Sequence, residues 1–257
     1  MMLLLAPAVA NQPLDPEQPN GLVDEARYAV DQFLEKFNPG MDTVEMKEIT
    51  GWVSEHSGIL ATIKDYRIVK PYVKWLADTA KLPDGVRYSM LHTLGMVGDT
   101  TAVPVVRMLV ADTTRPMVRL GAAEALCLLG DAVTGTRVLM DMARTEAVPF
   151  EWLPTATFMG SRGAPVKLKT AADEKAMTAY FRWLAEHTKG ANALAEAVTY
   201  LLQRDEESKN LAYRVAERAL KAPEVYLPDR NDKRGLLGRL AGFGGERGKA
   251  LAARYGK

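Results

Sequence analysis

The stretch from Val86 to Asp112 and the stretch that opens at Val118 carry the same landmarks 32 residues apart: Val86-Arg87 and Val118-Arg119, Leu94 and Leu126, Gly98 and Gly130, Asp99 and Asp131. A fixed period of this kind marks a unit that cannot bury its apolar face alone and must stack on a copy of itself. In both copies apolar residues recur every three or four positions up to the glycine, the spacing of one helix face. Glycine reaches the left-handed backbone that ends a helix at little steric cost, and an aspartate after it can accept hydrogen bonds from the free amides of the next turn. The predicted unit is helix, tight turn, helix.

The second helix of the first copy, "AVPVVRMLVAD", places Pro104 in its first turn, where a missing amide costs nothing. Pro71 holds the same place 33 residues earlier in "IVKPYVKWLAD". In the next copy, "GTRVLMDMART" matches only after a one-residue slip that sets Val138 on Val105 and Leu139 on Val106. Residues 147–168 keep an Ala164-Pro165-Val166 echo but carry Pro154 inside the first helix, which is therefore predicted short or kinked. Upstream, 49–79 follow the pattern loosely, and "LVDEARYAVDQFLEKF" predicts a first helix halted at Asn38-Pro39-Gly40. Past Lys169 the repeat fades while helical spacing persists in three segments, the first opened by a Thr170/Asp173 capping box. No segment alternates apolar and polar residues over strand length.

Val-Arg, small residues, Leu-Gly-x-Val-Gly-Asp and then Ala-Val-Pro resembles the short HEAT-like repeats first associated with phycobilin lyase subunits. Residues 86–112 match closely, 118–144 well, and 49–79 and 147–168 loosely. The resemblance implies an all-α fold, an α-solenoid of stacked antiparallel helical hairpins whose second helices line one curved surface. Within it the expected organisation is a signal-peptide remnant at 1–10, a proline-rich linker at 11–21, the repeat domain at 22–222 and a basic, glycine-rich helical cap or tail at 223–257.

Composition narrows the function. Lysine and arginine total 33 against 32 acidic residues, so no overall field favours nucleic acid or an anionic membrane. The single cysteine forms no internal disulfide, and His56, His92 and His187 are too far apart for a zinc motif, so neither metal nor cofactor is expected. Cys127 occupies the place of Gly95 in the preceding copy and reads as an inert core thiol. His92, the counterpart of Glu124, reads as a surface group, and His56 and His187 as groups near helix ends. The tail "GRLAGFGGERGKALAARYGK" fails as a phosphate loop, since Phe243 stands at the first glycine and Ala250 follows Lys249. Residues 228–257 hold eight basic and three acidic residues, read as a solvated cap.

These features point to a noncatalytic scaffold that holds a protein partner along the concave face. The alternative is a lyase-type accessory subunit like the chromophore-handling members of the resembled group, although no cofactor motif accompanies it. Lys74 and Arg107 each lie three residues beyond an equivalent proline and off the apolar stripe. Together with Lys70 they are the candidate partner-binding residues. No apolar run after the N-terminus reaches the ~18 residues of a membrane span. The start, "MMLLLAPAVANQPLDP", is uncharged up to Asp15 and offers an Ala8-Val9-Ala10 cleavage step, which points to a periplasmic or secreted protein, the alternative being cytoplasmic. N-terminal sequencing of the native protein should read from Asn11, and a native chain that retains Met1 would contradict export.

Overall fold

The computed structural model describes residues 46–256, apart from 78–81, 146, 150–151, 160–165 and 167, together with Tyr28, Val30, Asp31, Gln32 and Glu35. The expected signal remnant and linker lie outside the described residues. The described positions of the expected first helix are helical, with Val30 fully buried and Tyr28 largely exposed.

Six helices carry the repeats: α1 Met46–Ile63, α2 Val69–Ala77, α3 Asp84–Val97, α4 Val103–Ala111, α5 Pro116–Leu129 and α6 Ala132–Arg144. The glycine turns form as the period requires. Gly98 and Gly130 adopt φ of 81° and 97°, and their amides donate to the carbonyls of Leu94 and Leu126. Asp99 then accepts from the Thr101 amide at 2.9 Å and Asp131 from the Thr134 amide at 3.3 Å. The one-residue slip has a local cause. After Asp99 the chain makes a 3₁₀ turn, Thr100–Ala102, before α4 begins, whereas α6 starts directly after Asp131. With the slip applied, Val106 pairs with Leu139 and Leu109 with Met142, all of them buried.

The first helices α1, α3 and α5 stack in series, while α2 seats on α3 and α4 on α5. The α3–α5 contact depends on small residues. A Cβ on Gly121 would lie 2.8 Å from Cδ2 of Tyr88, and one on Gly95 would lie 3.0 Å from Cα of Ala125. Across the other side of α5, a Cβ on Gly135 of α6 would lie 2.5 Å from both the Ala123 carbonyl and the Cys127 sulfur. Every residue from 120 to 127 is buried as a result. A helix enclosed on all sides needs apolar or small side chains all round, which is the composition of "LGAAEALC" apart from Glu124.

The loosest repeat corrects the sequence reading. The described residues between 147 and 170 form no α-helix; they include the one-turn 3₁₀ helix Ala156–Phe158. Pro149, Pro154 and Pro165 remove amide donors along this stretch. Instead it crosses over the core: the Pro154 carbonyl accepts from the Tyr180 hydroxyl at 3.1 Å, and fully buried Phe158 meets Tyr180 and Phe181 edge-on.

Beyond it run α7 Ala171–His187, α8 Ala191–Leu201, α9 Glu206–Lys221, the short α10 Pro223–Tyr226, α11 Arg230–Phe243 and α12 Gly245–Tyr255. Of the expected Thr170/Asp173 capping box the first half forms: Asp173 donates its amide to Thr170 Oγ1 at 3.1 Å, while its Oδ2 accepts from the Thr170 hydroxyl at 2.8 Å rather than from the backbone. Asp173 also reaches across the fold, because its Oδ1 accepts from the Ala132 amide at 2.8 Å and so caps α6. Beside it, Lys169 Nζ donates to the Leu129 carbonyl at 3.1 Å and the Gly98 carbonyl at 3.4 Å. One short segment thus ties the turns of two successive repeats to the start of α7. At the end of the chain, α11 packs on α8 and on α12, and the Tyr213 hydroxyl of α9 donates to the Gly244 carbonyl.

Two substitutions test this packing. Leu126→Ala should cost about 2–5 kcal/mol, as truncated core leucines do. Gly135→Ala should cost about 1–3 kcal/mol, because the added methyl has nowhere to go. Urea unfolding measures both, and a neutral Gly135→Ala would contradict the close approach of α5 and α6.

Candidate functional site

The repeat places the three candidate cations on neighbouring second helices. Lys70 and Lys74 stand one turn apart on α2, which packs on α4, the helix that carries Arg107. All three are exposed. Among the described residues the two lysines make no hydrogen bond or ion pair. Arg107, with 61% of its side chain exposed, reaches Asp131 at the start of α6 through Nη2 at 2.8 Å and Nε at 3.2 Å. Partial burial works against the charge on Asp131, but the Arg107 guanidinium and the Thr134 bonds hold its carboxyl below the usual range. Arg107 is therefore shared between the surface and the α6 turn. The next second helix adds exposed Arg137, and Met108 and Val133 add apolar surface on α4 and α6, each about half exposed.

A second constellation was not anticipated. His92 is not an isolated surface group, because its Nδ1 lies 3.2 Å from Oε1 of Glu124, its counterpart one period on. The Tyr88 hydroxyl donates to the other carboxylate oxygen at 2.9 Å. Glu124 is fully buried while the His92 side chain keeps 31% exposure, so the imidazole connects a buried charge to solvent. The hydrogen bond to Glu124 raises the His92 pKa above its ordinary value, and burial opposes it. Burial and then the Glu124 charge push the Tyr88 hydroxyl up. The period held the signal for this pairing, since equivalent positions on stacked helices face one another.

The other singled-out residues take structural places. Cys127 is fully buried, and burial followed by the charges of Glu124, Asp173 and Asp131 pushes its thiol well above the ordinary range, the opposite of an activated nucleophile. His187 ends α7, bonds the Trp183 carbonyl at 2.7 Å and stacks on that indole. His56 lies inside α1 rather than near its end, with Nδ1 2.9 Å from the Trp52 carbonyl. No described group of three or more histidine, cysteine or acidic side chains is arranged to hold a metal, and no described helix is long and apolar enough to cross a membrane. An open cleft of about 410 Å³ lies between α7 and the turn before α9. Its arginines are engaged by the protein's own acids, Arg182 by Asp205 and Glu207 and Arg204 by Glu174.

Residues 58–149, from the last turns of α1 to the start of the crossover, match the family described as HEAT repeats. Over this span the chain is similar to HEAT repeats, and its described helices stack as the all-α solenoid that the 32-residue period predicts. No curated protein matches the chain. No solved structure does either.

Proposed function

We propose that this protein is a noncatalytic scaffold that binds a protein partner across its second helices, with Lys70, Lys74 and Arg107 as contact residues. HEAT repeats are generally protein-interaction scaffolds. The observation that supports this face is the packing of α2 against α4, neighbouring second helices that carry exposed Lys70 and Lys74, free of internal partners among the described residues, and exposed Arg107. Half-exposed Met108, next to Arg107, supplies the apolar surface that a contact core needs. Arginine and methionine are favoured at interfaces, and rim charges act mainly on encounter rate and specificity.

The double substitution Lys74→Glu, Arg107→Glu tests the face directly. Exposed ion pairs contribute about 0–1 kcal/mol, so loss of the Arg107–Asp131 pair should leave helicity and melting temperature near wild type. Proteins that the wild-type chain retains from native extract at low salt should no longer be retained by the variant. Undiminished retention under those conditions, where screening is least, would remove this face as the binding site.

A further inference from the structure

The contact between α3 and α5, close-packed at Gly95 and Gly121 and lined by Tyr88, Leu91 and Leu128, also holds a carboxylate. Glu124 sits on the most enclosed helix of the fold with 0% exposure and two partners, Tyr88 and His92, both on the facing helix. A buried charge is costly unless paired, and removal of one partner leaves it uncompensated. Of its two partners, only the imidazole changes charge near neutral pH. Its side chain keeps 31% exposure, enough to exchange a proton with water.

We propose that the α3–α5 seam is a proton-responsive joint, in which the charge on His92 sets how firmly one repeat grips the next. The feature is independent of the partner-binding face. Tyr88 acts on the same carboxylate from α3, and Cys127 of α5 and Tyr180 of α7 sense it from farther along. Asp131 and Asp173 act beyond them on Cys127. The other helices packed on α3 bring Glu48, Glu55 and His56 on α1 and Lys70, Tyr72 and Lys74 on α2.

The sign follows from the bonded geometry. Below the ordinary imidazole value the ring is charged in both the folded and the unfolded chain, and the stabilisation from the pair is complete. As pH rises through the folded-state value, which Glu124 holds above the ordinary one, the ring loses its proton. The carboxylate is then left with neutral donors only and the stabilisation is lost. The joint is tight on the acid side of that transition and looser on the alkaline side. Local opening is where the change appears, because the remainder of the stack carries no such cluster among the described residues.

Amide hydrogen exchange on the full chain at pH 6 and pH 9, corrected for the intrinsic exchange rates, reads this directly. Protection of α3 and α5 should fall by about threefold or more at pH 9 while α8 and α9, which serve as internal reference, stay constant. In His92→Gln, which keeps a neutral donor but cannot charge, the pH-dependent fall should vanish. An equal fall in that variant, or none in the wild type, overturns the proposal. Should His92→Gln fail to fold, Tyr88→Phe decides by titration of the His92 ring. Without the tyrosine hydroxyl the carboxylate leans harder on the imidazole, so the midpoint should rise. A midpoint that does not move contradicts coupling through Glu124.

Discussion

Two helix backbones approach this closely only where side chains leave room. In this protein the room comes from Gly95 and Gly121 between α3 and α5 and from Gly135 between α5 and α6. Everything else in the stack follows from that contact. It encloses α5, which in turn buries Leu126 and Cys127 and forces Glu124 to find its partners on the neighbouring helix. The turns that return the chain for each new repeat depend on glycine as well, since Gly98 and Gly130 both hold left-handed backbones.

Polar groups then secure what the apolar core leaves open. The first amide of α6 is satisfied from 41 residues away by Asp173, and the carbonyl ends of α3 and α5 are met by the single ammonium of Lys169. Helix ends without such partners would leave buried donors and acceptors unpaired. The repeats therefore depend on the start of α7, a segment that shows no repeat pattern of its own. The crossover before it does the work of a helix by other means: Phe158 fills the core, and the Pro154 carbonyl, freed from helical bonding, takes the hydroxyl of Tyr180.

Much of this was legible in the residues. The glycine turns, the aspartate caps, the slip between Val105 and Val138 and the inert place of Cys127 all rest on local chemistry, and the sequence states local chemistry openly. The crossover departs further from the repeat than the short or kinked helix that Pro154 predicts, because Pro149 also denies the backbone an amide and the Ala-Pro-Val echo restores none. The His92–Glu124 pair was missed for another reason. The two residues were aligned as counterparts without the further step that counterparts on stacked helices touch. Lys169 and the second role of Asp173 were beyond reach, because nothing local specifies a contact with a turn 40 or 70 residues earlier. Lys70, Lys74 and Arg107 were singled out from spacing alone. Their exposure on adjacent helices agrees with that spacing, while the Asp131 partner of Arg107 was not foreseen.

The stacking of α3 on α5 in a 32-residue register is the claim on which the rest stands. A disulfide tests it. A Cβ at residue 121 would lie 3.3 Å from the Cα of Tyr88, which makes the two positions direct neighbours across this contact. In a Cys127→Ala background, the pair Tyr88→Cys, Gly121→Cys should oxidise to an intramolecular bridge that migrates faster on non-reducing gels and reverts with reductant. A folded double variant that keeps both thiols free under mild oxidant would contradict the register.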